Sequence, residues 1–168
     1  AEANRVSKES AGLGTKVHDA LEKHILGEDV TFGNNMVSVM AKDMSELVIN
    51  EGFKNVDEVW GTEIGLIAPG LYAGTTDCIG MHKGEEAIID FKTSKKIKKE
   101  EWIEDYYLQC CAYALAHNEM YGTNIKKGVI LMVSRDVKFK EFVIEGARFE
   151  MYCDLWAQRL EEYYSKFG

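Results

Sequence analysis

The stretch Ile79 to Ser94, IGMHKGEEAIIDFKTS, limits the fold of this chain more than any other. Lys83-Gly84 reads as a two-residue hairpin turn, because glycine accepts the positive φ that such turns require and both flanks are strand-like. If His82 faces Glu85 across that turn, counting back along both strands sets Asp77 opposite Asp90 and Thr75 opposite Lys92. Side chains two apart on a strand share a face, so Lys92 joins Asp90 there. The run AIIDFKT, Ala87 to Thr93, is almost wholly apolar and reads as a strand buried in a sheet. Opposed carboxylates in such a place repel one another unless a cation neutralises them. A hard divalent ion with oxygen ligands, Mg2+ or Mn2+, would do so, and so would a structural salt bridge from Lys92. The hairpin alone does not choose between them, and a three-residue turn would move Asp77 to the other face.

The remaining elements follow from periodicity. Leu13, Val17, Ala20, Leu21 and Ile25 recur at helical spacing and predict a helix from Ser10 to Ile25, stopped by Gly27. Met40, Met44, Leu47 and Val48 predict a second from Val39 to Ile49. Val56 to Cys78 is rich in β-branched and aromatic residues and reads as two strands broken at Pro69-Gly70. A long helix is expected from Trp102 to Tyr121, with Tyr106, Gln109 and Tyr113 along one side. GVILMVS and KFKEFVIE read as a strand pair around Asp136, and Ala147 to Tyr164 as a closing amphipathic helix. This order predicts an α/β fold, a three-layer α/β/α arrangement with a mixed central sheet of about five strands. The 168 residues suit one domain.

Charge narrows the class of partner. The chain has 28 acidic against 20 basic residues, a net charge of −8, which is unlike a typical DNA-binding module. Yet five lysines fall between Lys92 and Lys99, and a local positive field can steer a phosphate backbone against the global sign. No apolar run approaches the roughly 20 residues of a membrane span, and the first residues lack the apolar stretch of a signal peptide. An intracellular protein without a membrane partner is expected, in a bacterium or infected host or in a mitochondrial lineage. Cys78, Cys110, Cys111 and Cys153 show no CxxC spacing, so buried thiols are expected rather than a disulfide framework or a zinc site.

Four motifs stand in a recognisable order. GTKVHDALE (Gly14 to Glu22) is followed by AGTTD ending at Asp77, by DFKTS from Asp90, and by QCCAY from Gln109 to Tyr113. Together they resemble the PD-(D/E)XK nuclease superfamily in its RecB-type branch, nearest to mitochondrial genome maintenance exonuclease-like and phage exonucleases. The resemblance implies a restriction-endonuclease-like core and a metal-dependent deoxyribonuclease acting as an exonuclease. It implies that Asp77 and Asp90 hold one or two Mg2+ or Mn2+ ions, with the Phe91 main-chain carbonyl as a further ligand. Such ions polarise the scissile phosphate and activate water. Lys92 would then orient that water or stabilise the charged transition state. His18 looks like the additional metal ligand of this branch, and Glu63 is a candidate acidic ligand on the preceding strand. Gln109 and Tyr113 would contact DNA or brace the site. The hydroxyls of Thr93 and Ser94 and the lysines beyond them, Lys95 and Lys96 first, would hold phosphates and so bind without reading sequence.

Departures from the pattern matter too. Thr76 stands where the family's name has proline, as is common in RecB-type members. Cluster-bearing members carry a cysteine before the histidine motif, whereas here the first is Cys78, so no iron–sulfur cluster is expected. The partner implied is DNA that is single-stranded or has free ends. The alternatives are a structure-specific endonuclease of the same fold and a catalytically silent DNA-binding module. The intact Asp77, Asp90 and Lys92 set favours an enzyme, because opposed carboxylates are a liability once metal chemistry is lost.

Overall fold

Both turn residues of the central hairpin take positive φ, 48° at Lys83 and 81° at Gly84, the pair that matches the twist of the flanking strands. The carboxylate of Asp57 accepts a hydrogen bond from the Gly84 amide at 2.6 Å, tying this turn to the neighbouring strand. The pairing that results runs from His82↔Glu85 to Cys78↔Ile89, the register that a two-residue turn predicts.

In this computed structural model, which describes residues 2–68 and 70–167, the described residues form one mixed five-stranded sheet in the order β1-β2-β3-β4-β5. The strands are β1 (Val56–Ala68), β2 (Tyr72–His82), β3 (Glu85–Ser94), β4 (Lys127–Ser134) and β5 (Phe139–Glu145). Helices α1 (Glu2–Ile25), α2 (Met36–Leu47), α3 (Glu104–Tyr121) and α4 (Gly146–Phe167) flank it, the α/β architecture expected. Strand β1 pairs antiparallel with β2, with register shifts between Val56 and Glu58 and between Val59 and Gly61. Gly80, opposite Val59, permits this. A Cβ there would stand 2.1 Å from the Glu58 carbonyl oxygen, so only glycine lets the two backbones approach.

The chain gathers into two compact units. One comprises Ala1–Asn55, Phe91–Ile97 and Leu131–Lys140, and the other Val56–Asp90, Lys98–Ile130 and Glu141–Gly168. Leu13, Val17, Leu21 and Met44 are buried in the first, where the helical spacing of α1 turns its apolar stripe inward. In the second, Ile79, Ile88, Ile89 and Ile130 are fully buried, as alternation and the apolar runs require. Each such side chain contributes about 1.5–3 kcal/mol relative to exposure.

Element ends differ from expectation for local reasons. Helix α1 begins at Glu2 rather than Ser10, its polar first turns carried by good helix formers instead of an apolar stripe. Helix α2 begins at Met36 because Asn35 caps it, its side chain accepting from the Ser38 amide at 2.8 Å. Beyond Leu47 the chain passes into a π turn, Val48–Gly52. Trp102 ends a 3-10 turn, Glu100–Trp102, and α3 starts only at Glu104. Pro69 lies outside the described residues; Gly70 has φ 74°. Cys78, Cys110 and Cys111 are buried as expected, whereas Cys153 is half-buried.

Candidate active site

Asp77 lies on β2 and Asp90 on β3, strands that pair antiparallel. Cys78 faces Ile89, and Asp77 and Asp90 are the next residues along their strands beyond that pair. Asp90 is 4% exposed and Asp77 half-buried. On the other side of β2, the pairs Thr62↔Cys78 and Ile64↔Thr76 bracket Glu63 and Asp77. The φ of 49° at Glu63 interrupts the pleat of β1, and its side chain is exposed. Beside the pair, burial and then the Asp77 charge push the Cys78 thiol up to about 12, so it stays protonated and is no nucleophile at neutral pH.

The donor set suits a hard cation. Carboxylate oxygens are what Mg2+ and Mn2+ take, and Mg2+ in particular is usually held by one or two carboxylates with waters and substrate phosphates completing its shell. Among the described residues no three His, Cys, Asp or Glu side chains gather to cage an ion.

Other predicted residues are placed within one unit or the other. Lys92, two residues beyond Asp90 on β3, is half-buried, as are Thr93 and Ser94, while Lys95 and Lys96 are exposed. The Ser94 hydroxyl donates to the Lys96 carbonyl at 2.6 Å, so its proton is already engaged. His18 on α1 sets its ring edge-on to Phe91, with centroids 6.0 Å apart, and the Gly14 backbone of the same helix lies close to the Thr93 hydroxyl. The GTKVHDALE motif therefore packs, within its unit, on the residues that follow Asp90. Gln109 donates to the Tyr113 hydroxyl at 3.1 Å on α3, and the Tyr113 ring lies over Gly74 of β2. The QCCAY motif thus braces the strand that carries Asp77. Lys98 donates to the Tyr106 hydroxyl at 3.0 Å and Lys99 sits 5.2 Å over the Trp102 ring, which anchors the end of the lysine run.

No family model matches the chain. It is 29% identical over 160 residues to mitochondrial genome maintenance exonuclease 1 of Homo sapiens, which covers 91% of this chain and 45% of that protein. The Mus musculus protein of the same name is 32% identical over 101 residues, covering 56% and 29% respectively. The similarity is to exonucleases. The chain spans less than half the length of these curated relatives. Among solved structures, a candidate exonuclease from Eubacterium rectale superposes with a TM-score of 0.62 over 92% of this chain and 65% of its own, at 9% identity. At that identity the exonuclease match speaks for a shared fold alone.

Sequence reasoning missed two groups. His82 is fully buried, its ring nitrogen 2.7 Å from Glu141, and Lys127, 3% exposed, donates to the His82 carbonyl at 3.3 Å. Lys127 also lies 3.5 Å from Glu145 and 3.7 Å from Glu85. The second group is Tyr72, Trp156 and Arg159, which line a pocket with Gln109 and Tyr113. The three-residue spacing of Trp156 and Arg159 on a helix would have shown that they share a face. Among the described residues no helix is long and apolar enough to cross a membrane.

Proposed function

We propose that the chain is a Mg2+- or Mn2+-dependent nuclease that shortens DNA from free ends, with single strands as its substrate. The observation that supports this reading is the β2–β3 register, which pairs His82↔Glu85 through Cys78↔Ile89 and so leaves Asp77 and Asp90 as the next residues on the two strands, with Lys92 two residues further along β3. The exonuclease relatives support it. When bound, one or two divalent ions supply Lewis acidity toward the scissile phosphate and toward water. The Asp77 and Asp90 carboxylates and the Phe91 carbonyl hold them, and Lys92 offers a positive charge to the attacking water or the phosphate oxygens. Glu63, bracketed with Asp77 between two β1–β2 pairs, is a further acidic candidate. Thr93, Ser94, Lys95 and Lys96 bind phosphates, which carry no sequence information.

Linear and circular single-stranded DNA of one sequence, incubated with Mg2+ at equal concentration, test this reading. The linear strand should be shortened progressively while the circle survives. Cutting of the circle at a comparable rate would make the protein a structure-specific endonuclease, and binding without turnover of either a silent module.

His18 enters as a ligand softer than oxygen, so it should favour Mn2+ over Mg2+. Calorimetry of His18→Ala should show Mn2+ binding weakened by about tenfold, the size of a lost supporting contact at a metal site. Unchanged affinity and activity would leave the imidazole with its packing role on Phe91.

A further inference from the structure

A pocket of about 340 Å3 opens among α3, α4 and the first residues of β2, all within one unit. Its floor is apolar, formed by Leu108 at 4% and Ala112 at 5% exposure. Its wall is aromatic. Tyr72 and Trp156 meet edge to face at 5.2 Å and 88°, and the Tyr72 hydroxyl donates to the Ala112 carbonyl at 2.9 Å, which holds the ring in place. At the rim stands the Arg159 guanidinium, 3.4 Å from the Asp105 carboxylate. That side chain of Asp105 is 89% exposed, so the ion pair is weak and open to exchange.

The geometry points to this pocket as a binding site for one nucleobase of a single-stranded DNA, stacked on Trp156 with Tyr72 at its edge, and with the adjoining phosphate on Arg159. This rests on the nuclease reading above. An apolar floor and ring walls suit a flat heterocycle, and one exchangeable cation at the rim suits the phosphodiester that such a heterocycle carries. A purely apolar ligand would leave the guanidinium unused, and inorganic phosphate would leave the rings unused. Gln109 and Tyr113 line the same pocket, so the base would rest on the helix that braces the Asp77 strand. Stacking on rings is tolerant of base identity, as are contacts to phosphates.

The test separates binding from turnover. Anisotropy in EDTA compares labelled dT10 with an abasic backbone of the same length. The parent should prefer dT10. Trp156→Ala should weaken dT10 binding by about tenfold and leave the abasic strand nearly unaffected, because only the first has a base to stack. Trp156→Phe, which keeps a ring, should recover most of the affinity and so exclude a folding defect. Arg159→Gln should weaken both strands alike and reduce the salt slope by about one. Equal losses on both strands for Trp156→Ala, or none, overturn the base site, and an unchanged salt slope for Arg159→Gln overturns the phosphate contact. The two readings fail separately: a parent that prefers dT10 yet never cleaves it with Mg2+ or Mn2+ defeats the nuclease assignment and leaves the pocket standing.

Discussion

Asparagine in place of Asp90, or alanine in place of Lys92, is expected to lower DNA cleavage in Mg2+ by on the order of a thousandfold or more while the protein stays folded. Asp90 is 4% exposed and directly follows Ile89, which pairs with Cys78, the neighbour of Asp77. Asparagine keeps its shape and removes its charge. Without metal, two opposed carboxylates repel, so the melting temperature of Asp90→Asn should equal or exceed that of the parent. Added Mn2+ should then raise only the parent's melting temperature, because a ligand stabilises the state that binds it. A clear drop for Asp90→Asn in EDTA would show instead that the carboxylate serves a structural salt bridge. Cleavage that persists in either purified variant would remove the proposed site.

Gly80→Ala is expected to lower the melting temperature by about 6–12 °C, corresponding to about 3 kcal/mol in a protein of this size. The added methyl would meet the Glu58 carbonyl oxygen at 2.1 Å and Val59 Cα at 2.9 Å, and neither backbone atom can swing aside as a side chain would. Strand β1 would have to lift from β2 near its own register shifts. Gly12→Ala is the control. It lies inside α1 with nothing within 4 Å of the new Cβ, so better helix propensity should leave stability unchanged or raise it by up to about 1 kcal/mol. Equal melting temperatures for Gly80→Ala and the parent would show that the two strands do not approach so closely in solution.

The parts of this fold that the sequence made legible are those fixed by local chemistry. Lys83-Gly84 set the register of β2 on β3 because the positive φ of a two-residue turn leaves one way to pair the flanks. The unbroken apolar run of β4 from Val129 to Val133 is buried throughout, as its composition implies. What stayed hidden depends on distant neighbours. The irregularity of β1 follows from a glycine on the facing strand, and nothing in VDEVWGTEIGLIA signals it. Lys127 reads as one of two ordinary surface lysines, and it is buried because Glu85, Glu145 and the His82 carbonyl converge on it from three other strands. The pocket was equally out of reach, since Tyr72 and Trp156 lie on elements that only the fold brings together. Around the candidate acidic residues the turn made the strand pairing legible as far as Cys78↔Ile89, but the positive φ at Glu63 is a tertiary outcome.

The compact unit that holds α1 and α2 also takes Phe91–Ile97 and Leu131–Lys140, two segments that a ribosome makes much later. The apolar stripe of α1, with Leu13, Val17 and Leu21, is therefore synthesised well before the strands that complete its cover. Closing such long loops is slow, and surface left open meanwhile invites association with other chains. A fragment ending near Asn55 would keep its helices without their strands, and fusions or truncations at that junction should yield insoluble product. For this chain, synthesis past Lys140 is the point at which the early helices first have every segment of their own unit.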